Sequence, residues 1–339
     1  MCDKSGMSRE VFVICPGNIA PNCPGQVGDV LIVSAVLARL MTDGWDVHCV
    51  TNAIMHRRLA DTYGMSTSVL ERSPDVLMLS AHDIARAAEA EHVLLFRPFG
   101  DPEGNNWQSQ LLSQPGSQPA RLCRIGGLSG FSQAGPHMVE QIRSRLAPVV
   151  PLPRDVPLVP LLRVDGGYAG EQDGHDEPQV MILPFAGGRQ KWLPMPIILA
   201  LVEALEGTAE IAATPYGEEP AALDQIADAL QQRSLSASFF VGEAEDIAFR
   251  AAQRQRLYAV DGGTCWTTAA GLNWLTQRGL LLREQFPEIR VILGRDSASN
   301  LAPTAAVWKP LALVPERVTQ VNSDQVLRLH DITVHDIIV

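Results

Sequence analysis

The sequence predicts an α/β fold with two domains facing a central cleft. Short β-branched apolar segments alternate with longer amphipathic segments along most of the 339 residues, which is typical of repeated β–α units on a parallel sheet. Two domains also suit the length, because a single domain usually holds about 100–200 residues. A stretch rich in proline, glycine and acidic residues interrupts the alternation near the middle. We expect an N-terminal domain over 1–150, a linker over 151–178 and a C-terminal domain over 179–339.

The N-terminal domain opens with a complete β–α–β pattern, in which Gly44 marks the end of the first helix. From Arg97 to Gly135 the chain is rich in Gly, Pro, Ser and Gln, which predicts one long functional or mobile loop. The predicted elements are strands over Val11–Ile14, Asp46–Thr51, Asp75–Leu79 and His92–Phe96, and helices over Asp29–Thr42, Ala81–Ala90 and His137–Leu146.

After the linker the alternation begins again. Ligands of open parallel sheets bind beyond the carboxyl ends of the strands, so the loops that follow strands are the candidate functional segments. The predicted elements are strands over Gln179–Leu183, Glu210–Ala213, Ser236–Val241, Arg256–Val260 and Glu288–Leu293, and helices over Met195–Leu205, Glu218–Gln232, Ala244–Arg254, Trp266–Thr276 and Ser323–Leu329.

Composition and charge argue against several classes of protein. Apolar residues make up 46% and charged residues 19%, which excludes wholesale disorder. No apolar run approaches the ~20 residues of a membrane span, and the first residues lack the layout of a secretory signal, so we expect a cytoplasmic protein. A net charge of −11 without a Lys/Arg-rich block argues against nucleic acid or an anionic membrane as the main partner. Six scattered cysteines without a C-x-x-C pair predict reduced thiols.

The first candidate segment joins the first predicted strand to the first helix. It ends in Gly28 and Asp29, and Asp29 falls where the helix begins. A carboxylate there is favoured by the helix dipole and can be an ordinary helix-start residue. A carboxylate at the ligand-facing end of a strand can equally take a proton from a hydroxyl group, so Asp29 is also a candidate general base.

Glycines and cations follow the first strand of the C-terminal domain. Gly187, Gly188, Arg189 and Lys191 precede Pro194, at which a helix can begin. Exposed main-chain N–H groups, a cationic side chain and a helix N-terminus can together bind phosphate. The spacing matches neither a P-loop nor a G-x-G-x-x-G motif, so a solvated basic turn is an equal alternative.

An acidic, glycine-rich segment follows the predicted strand Arg256–Val260. Asp261, Gly262, Gly263 and Thr264 offer one carboxylate, free main-chain N–H groups and a hydroxyl group. Asp261 and Thr264 can be simple helix-capping residues. The same groups can also bind a sugar hydroxyl and a diphosphate together.

The order and placement of these three segments resemble the heptosyltransferase-type (family 9) glycosyltransferases. Gly28–Leu31 matches the Gly-Asp-Val-Leu at the head of their first helix, and Leu183–Pro194 is similar to their strand, small residues and Lys-x-Trp-Pro-like motif. Asp261–Trp266, followed by Ala269 and Ala270, is similar to their Asp-Thr/Ser-Gly-Leu-Ser/Thr-His turn. The resemblance implies a GT-B fold, in which two Rossmann-like domains face a cleft, and inverting transfer from ADP-heptose or a related nucleotide sugar.

The resemblance also implies roles for single residues. Asp29 is similar to the base for the acceptor hydroxyl, and Lys191 to the cation that holds donor phosphate. Asp261 and the main chain of Gly263 and Thr264 would bind the donor sugar and pyrophosphate. No metal or other cofactor is expected, because cationic side chains and helix ends can offset the leaving charge. The favoured donor is an ADP-sugar, and the expected acceptor is a carbohydrate, a glycolipid or another hydroxyl compound.

Two positions depart from the family pattern. Trp266 stands where the family has histidine, and an indole carries no charge, although it can stack on a base or a sugar. Gly262 replaces a hydroxyl residue. Outside the motifs, Arg97 directly follows a predicted strand and is a candidate acceptor contact. We interpret the basic run Arg250–Arg256 as a solvated helix face.

Three functions are compatible with these patterns. The favoured hypothesis is inverting glycosyl transfer with Asp29 as general base. A non-hydrolysing nucleotide-sugar epimerase has a related two-domain cleft and needs no acceptor. A sugar-nucleotide-binding protein without turnover is suggested by Trp266 in place of histidine and by the single carboxylate of the first segment.

Overall fold

The computed structural model describes residues 9–17, 27–73, 76–97, 122–126, 138–153, 158–165, 179–206, 208–293, 312–321 and 333–338. These residues form two compact units, the first ending at Pro160 and the second beginning at Leu161. The division falls within the predicted linker. Each unit contains a parallel sheet with helices, which confirms the predicted α/β class. Within the described ranges, no helix combines the length and apolar character needed to cross a membrane.

The first unit is built on a five-stranded sheet in which all neighbouring strands are parallel. Its elements are β1 (Glu10–Cys15), α1 (Val27–Thr42), β2 (Asp46–Thr51), α2 (Ala53–Tyr63), β3 (Ser66–Val69), β4 (Glu71–Ser73), β5 (Val76–Met78), α3 (Ala81–Glu89), β6 (His92–Arg97), β7 (Leu122–Gly126) and α4 (Met138–Leu146). The strand order is β3-β2-β1-β6-β7, and β4 and β5 form a separate antiparallel pair.

The predicted strand Asp75–Leu79 is present as β5, but it pairs antiparallel with β4 and does not join the parallel sheet. Another prediction for this unit was wrong. The segment from Arg97 to Gly135 is not a single loop, since β7 forms the edge of the sheet next to β6. An edge strand needs few apolar residues, so the glycines and polar residues around β7 hide it in the sequence.

The second unit is built on a six-stranded parallel sheet. Its elements are β8 (Val180–Leu183), α5 (Met195–Ala204), β9 (Ala209–Ala213), α6 (Glu219–Gln232), β10 (Ser238–Val241), α7 (Ala244–Ala251), β11 (Arg256–Val260), α8 (Gly263–Gln277), β12 (Glu288–Ile292), β13 (Val318–Val321) and α9 (Val334–Ile338). The order is β10-β9-β8-β11-β12-β13. All five predicted strands are present, and the predicted helix Ser323–Leu329 lies outside the described residues.

Continuous apolar runs at the centre of each sheet explain this architecture. The residues of β8 are all buried, and so are all residues of β1 after Glu10. A parallel strand covered on both faces needs such a run, whereas a half-exposed strand would alternate apolar and polar residues. Ile182 and Tyr258 lie in a core cluster of the second unit, and Phe12 and Ile14 lie in a core cluster of the first.

Both sheets reverse their strand order at a central pair. In the first unit the chain builds outward from β1 to β3 and then resumes at β6 on the other side of β1. In the second unit it builds from β8 to β10 and resumes at β11. Such reversals open a crevice beyond the carboxyl ends of the central strands, which is where ligands of this fold class bind. The predicted segments follow β1, β8 and β11, and Arg97 ends β6.

Candidate functional site

In the first unit, Gly28 and Asp29 lie in the first turn of α1. The helix begins at Val27, two residues before its predicted start, and residues 18–26 of the preceding loop lie outside the described residues. Asp29 is therefore the third residue of a helix that follows a central strand. A carboxylate in a first helical turn is stabilised by the partial positive charge of the helix N-terminus.

The start of the loop before α1 is held by side chains at the end of β2. Thr51 Oγ1 donates to Cys15 O at 2.8 Å, and Asn52 Nδ2 donates to Pro16 O at 3.0 Å. Asn52 Oδ1 accepts the main-chain N–H of Met55 at 3.0 Å, so the same amide caps α2. Sequence reasoning missed these residues, although an asparagine directly after a strand and before a helical pattern is a typical N-cap signal.

Arg97 lies where the sequence predicted it, at the carboxyl end of β6. Its position in the ladder is opposite Gly126 of β7, and β6 also pairs with β1. Because β6 and β1 are parallel neighbours, residue 97 lies at the same carboxyl-terminal edge of the sheet as the end of β1. This placement is consistent with the expected acceptor contact.

In the second unit, the loop after β8 forms a compact turn. Leu193 N donates to Pro184 O at 2.9 Å and closes the loop, and Lys191 N donates to Gly188 O at 2.9 Å within a single 3₁₀ turn. A methyl group on Gly187 would meet no atom within 4 Å, so this glycine faces open space. The next helix, α5, begins after Pro194, as predicted.

The two cations of this loop differ in their surroundings. Arg189 is 65% exposed, forms an ion pair of 2.7 Å with Glu218 and lies 5.4 Å from the centre of the Trp192 ring. The indole of Trp192 donates to Ala186 O at 2.7 Å. Lys191 is half-buried, and no carboxylate in the described part of the chain forms an ion pair with it. Lys191 is therefore the better placed of the two cations to meet an anionic ligand.

The loop after β11 touches the loop after β8 at Gly262. A Cβ built on Gly262 would lie 2.5 Å from Ala186 Cβ and 2.9 Å from Ala186 Cα. The backbone of Gly262 is extended, with φ of −159°, so the glycine is required by space and not by its torsion angle. This close approach brings the predicted phosphate-binding loop and the loop containing Asp261 together.

Gly263 and Thr264 lie in the first turn of α8, which begins three residues before the predicted start at Trp266. In the described ranges, neither residue donates its main-chain N–H to an acceptor. A methyl group on Gly263 would meet no atom within 4 Å. The start of α8 thus offers N–H groups beside open space, which is an arrangement that suits anion binding.

Asp261 and Trp266 contact each other across the start of this helix. Trp266 Nε1 donates to Asp261 Oδ1 at 3.2 Å, and the indole is half-buried. The sequence predicted Trp266 as a substrate contact and did not reveal this bond. The five-residue spacing between Asp261 and Trp266 could have indicated the bond. A side chain in the first turn of a helix can reach back to the residue before the N-cap.

Neither a reactive thiol nor a metal-binding cluster is found among the described residues of these two loops. Burial, and then the charge of Asp261, raise the pKa of the Cys265 thiol well above its ordinary value, so Cys265 is not a nucleophile at neutral pH. Among the described residues, no group of three or more His, Cys, Asp or Glu side chains is arranged to hold a metal ion. The groups that the two loops present are main-chain N–H donors, a lysine and a carboxylate.

Solved structures share this architecture over nearly the whole chain. A family 9 glycosyl transferase from Veillonella parvula superposes with a TM-score of 0.62 at 8% identity, covering 98% of this chain and 95% of its own. The chain has the fold of family 9 glycosyltransferases. Heptosyltransferase WaaC from E. coli, solved with ADP-2-deoxy-2-fluoro heptose, gives a TM-score of 0.53 at 13% identity, covering 96% of this chain and 97% of its own.

A second WaaC structure, solved with ADP, gives a TM-score of 0.52 at 12% identity, and again covers 96% of this chain and 97% of its own. No protein-family model matches the sequence, and no curated protein matches it. At identities of 8–13%, the likeness to family 9 glycosyltransferases is one of fold. It confirms the architecture that the three sequence segments predicted.

Proposed function

We propose that the chain is an inverting glycosyltransferase that moves a sugar, heptose or a related one, from a nucleotide-diphosphate donor to a hydroxyl acceptor. The proposal is carried by the contact of Gly262 with Ala186, which joins the loops of Lys191 and Asp261 at the strand reversal of the second sheet. It is supported by a fold shared with family 9 glycosyltransferases over 96–98% of the chain.

The donor is held by the second unit in this proposal. Lys191 and the first-turn N–H groups of Gly263 and Thr264 offset the charge that develops on the departing diphosphate. Donors fixed before the reaction stabilise such charge without reorganising, which makes them effective catalysts. The Asp261 carboxylate accepts hydrogen bonds from hydroxyl groups of the donor sugar. No metal ion or further cofactor takes part in this scheme, and an ADP-sugar is the favoured donor.

The acceptor is activated by the first unit. Asp29 takes the proton from the acceptor hydroxyl while the hydroxyl oxygen attacks the anomeric carbon of the donor. The bond from that carbon to the diphosphate oxygen breaks on the opposite face, so the configuration inverts and a nucleoside diphosphate leaves. A general base of this kind contributes about 10²–10⁴-fold to the rate. Arg97 is the proposed contact for an acceptor that is a carbohydrate, a glycolipid or another hydroxyl compound.

The first experiment identifies the donor. The purified protein is heated with ADP-, GDP-, UDP- and dTDP-sugars, since a ligand that binds the folded state raises Tm. The donor that raises Tm most is then incubated with and without a panel of hydroxyl acceptors, and the products are resolved by mass spectrometry and NMR.

Each alternative function predicts a different product. Transfer with inverted anomeric configuration, dependent on acceptor, supports the proposal. An epimerised nucleotide sugar formed from donor alone would instead indicate an epimerase. Donor binding with no transfer to any acceptor would indicate a sugar-nucleotide-binding protein without turnover.

A further inference from the structure

The indole of Trp192 contacts three other residues of the loop that follows β8. Its N–H donates to Ala186 O at 2.7 Å. Its ring meets the Phe185 ring edge to face, with the ring centres 4.9 Å apart. The guanidinium of Arg189 lies 5.4 Å from the centre of the same indole. A side chain near the end of the loop therefore contacts the residues with which the loop begins.

Phe185 and Ala186, which the indole contacts, are also the residues that meet Gly262. A Cβ on Gly262 would lie 2.5 Å from Ala186 Cβ, 2.9 Å from Ala186 Cα and 3.3 Å from Phe185 O. Both residues are buried, at 3% and 4% exposure. Trp192 therefore fixes the surface against which the loop after β11 packs.

The hydrogen bond from the indole matters because of what else is available to Ala186. Within the described ranges, no main-chain N–H donates to Ala186 O, so the indole N–H is its partner. A carbonyl that stays buried after losing its partner costs more free energy than the bond itself contributed. Without the indole N–H, the peptide of Ala186 has to turn toward water.

Lys191 is joined to the indole through the main chain. It directly precedes Trp192, at the end of the 3₁₀ turn Arg189–Lys191. Lys191 N donates to Gly188 O at 2.9 Å, and Trp192 N donates to Arg189 O at 3.0 Å. Because these bonds close the turn, the contact that anchors Trp192 also determines where the lysine side chain begins.

We propose that Trp192 is a positioning residue that fixes Ala186 against Gly262 and thereby holds Lys191 and the start of α8 together as one binding site for a diphosphate. This inference rests on the proposed function, in which these groups bind the donor. When the indole N–H is lost, the Ala186 peptide turns, the loop moves away from Gly262, and Lys191 moves with the loop.

The contact between Trp192 and Arg189 has a smaller part. Arg189 is 65% exposed and pairs with Glu218 at 2.7 Å, where solvent screens its charge. A phenylalanine ring still offers a face to a guanidinium. Trp192→Phe therefore removes the hydrogen bond to Ala186 but keeps an aromatic ring beside Arg189.

Two variants at position 192 and one matched control test the proposal. Trp192→Phe removes the N–H donor. The analogue 3-benzothienylalanine, introduced at position 192, replaces the N–H by sulfur and keeps the size of the indole. Trp274→Phe is the control, because the Trp274 ring lies 5.5 Å from the Arg278 guanidinium, nearly the distance between Trp192 and Arg189.

The first measurement uses inorganic pyrophosphate, the anion that all the candidate donors share in ester form. By calorimetric titration we expect both variants at position 192 to raise its Kd by about tenfold, the scale of one charge-assisted hydrogen bond, and Trp274→Phe to leave it unchanged. A wild-type Kd in the benzothienylalanine variant would overturn the proposal, and this variant keeps the test valid should Trp192→Phe fail to fold. A wild-type protein that binds no pyrophosphate would overturn it as well.

The second measurement asks whether Trp192 acts through Lys191. In a Lys191→Met background, Trp192→Phe should have little further effect on the Kd of pyrophosphate. A purely structural role would lower Tm without this dependence on Lys191. The same tenfold loss in both backgrounds would contradict the proposal, because Trp192 would then act on the anion without the lysine.

Sugar transfer separates this inference from the function on which it rests. Weakened pyrophosphate binding in Trp192→Phe, in a protein that transfers no sugar, would support the positioning by Trp192 and contradict the glycosyltransferase. Sugar transfer by the wild type, with pyrophosphate Kd and donor KM unchanged in Trp192→Phe, would support the glycosyltransferase and contradict the positioning.

Discussion

His48 Nε2 lies 3.2 Å from Asp83 Oδ1, and the two residues are only 3% and 1% exposed. Arg86 Nη1 lies 3.0 Å from the other ring nitrogen, Nδ1. Because a guanidinium only donates, Nδ1 accepts, and we assign the proton of the neutral imidazole to Nε2, which donates to Asp83. The ring links β2, which carries His48, to α3, which carries Asp83 and Arg86.

This arrangement predicts that the first unit loses stability as the pH falls through about 6.5. Burial, and then the charge of Arg86, lower the pKa of His48. The unfolded histidine takes up its proton near pH 6.5, whereas the folded one does so at lower pH. In that window the unfolded state binds more protons, so its stability relative to the folded state rises as the pH falls. Urea unfolding at about pH 7.5 and about pH 5.5 measures the difference.

A matched pair of variants assigns the effect to His48. His48→Gln should be less stable at neutral pH but less sensitive to acid, while the exposed His82→Gln should behave as the wild type. The same acid sensitivity in His48→Gln and the wild type would contradict the assignment. The stability that the Asp83 carboxylate contributes is lost only at lower pH. Burial would raise its pKa, but hydrogen bonds from Ser80, Ser68 and His48 outweigh burial and lower the pKa.

Replacing Asp29 with Asn should lower kcat by about 10²-fold or more, since an amide cannot take the acceptor proton. Binding of the donor, measured by thermal shift, should change little, because the donor is assigned to the second unit. Asp61→Asn is the control, since Asp61 is an exposed carboxylate on α2. Turnover of Asp29→Asn close to that of Asp61→Asn would remove Asp29 from the role of base.

Replacing Lys191 with Met should weaken donor binding far more than replacing Arg189 with Ala. Lys191→Met keeps the aliphatic stem but removes the charge, and we expect the donor KM to rise about tenfold or more. Arg189 already pairs with Glu218 at an exposed site, where an ion pair contributes about 0–1 kcal/mol. Steady-state kinetics of both variants checks the order, and a larger effect at Arg189 would reverse the assignment.

Replacing Gly262 with Ala should destabilise the second unit by about 1–3 kcal/mol, the usual cost of overfilling a packed site. The new methyl group would lie 2.5 Å from Ala186 Cβ. Gly263→Ala is the matched control, because a methyl group there meets nothing within 4 Å. Thermal unfolding should separate the two adjacent substitutions. Equal Tm values would show that the two loops are not tightly packed at Gly262.

The central strands could be predicted because their residues alone determine them. The residues of β1 after Glu10, all residues of β8 and the residues of β11 after Arg256 are buried in continuous runs, as central parallel strands require. The outer elements depend on their neighbours instead. In α2 only Met55 and Leu59 are fully buried, so its pattern does not stand out from that of a polar segment.

Contacts distant in sequence were the main source of error. The basic run Arg250–Arg256 is not a solvated helix face, because α7 ends at Ala251 and Arg254 is 3% exposed. Arg254 Nη2 lies 3.0 Å from the buried carboxylate of Glu210, which is on β9. The sequence could not reveal this pair, since 44 residues separate its members. The hydrogen bond between Asp261 and Trp266 shows a second limit of sequence-based prediction. The five-residue spacing permits this bond but does not require it.

The tight approach of Gly262 to Ala186 also limits how the specificity of the protein can be redesigned. Neither position accepts a bulkier side chain unless the other yields, so attempts to alter the proposed donor preference there would destabilise the fold first. Gly187 and Gly263 border unfilled volume in the same pair of loops. Directed libraries that seek a new sugar or nucleobase preference would therefore begin at these two glycines.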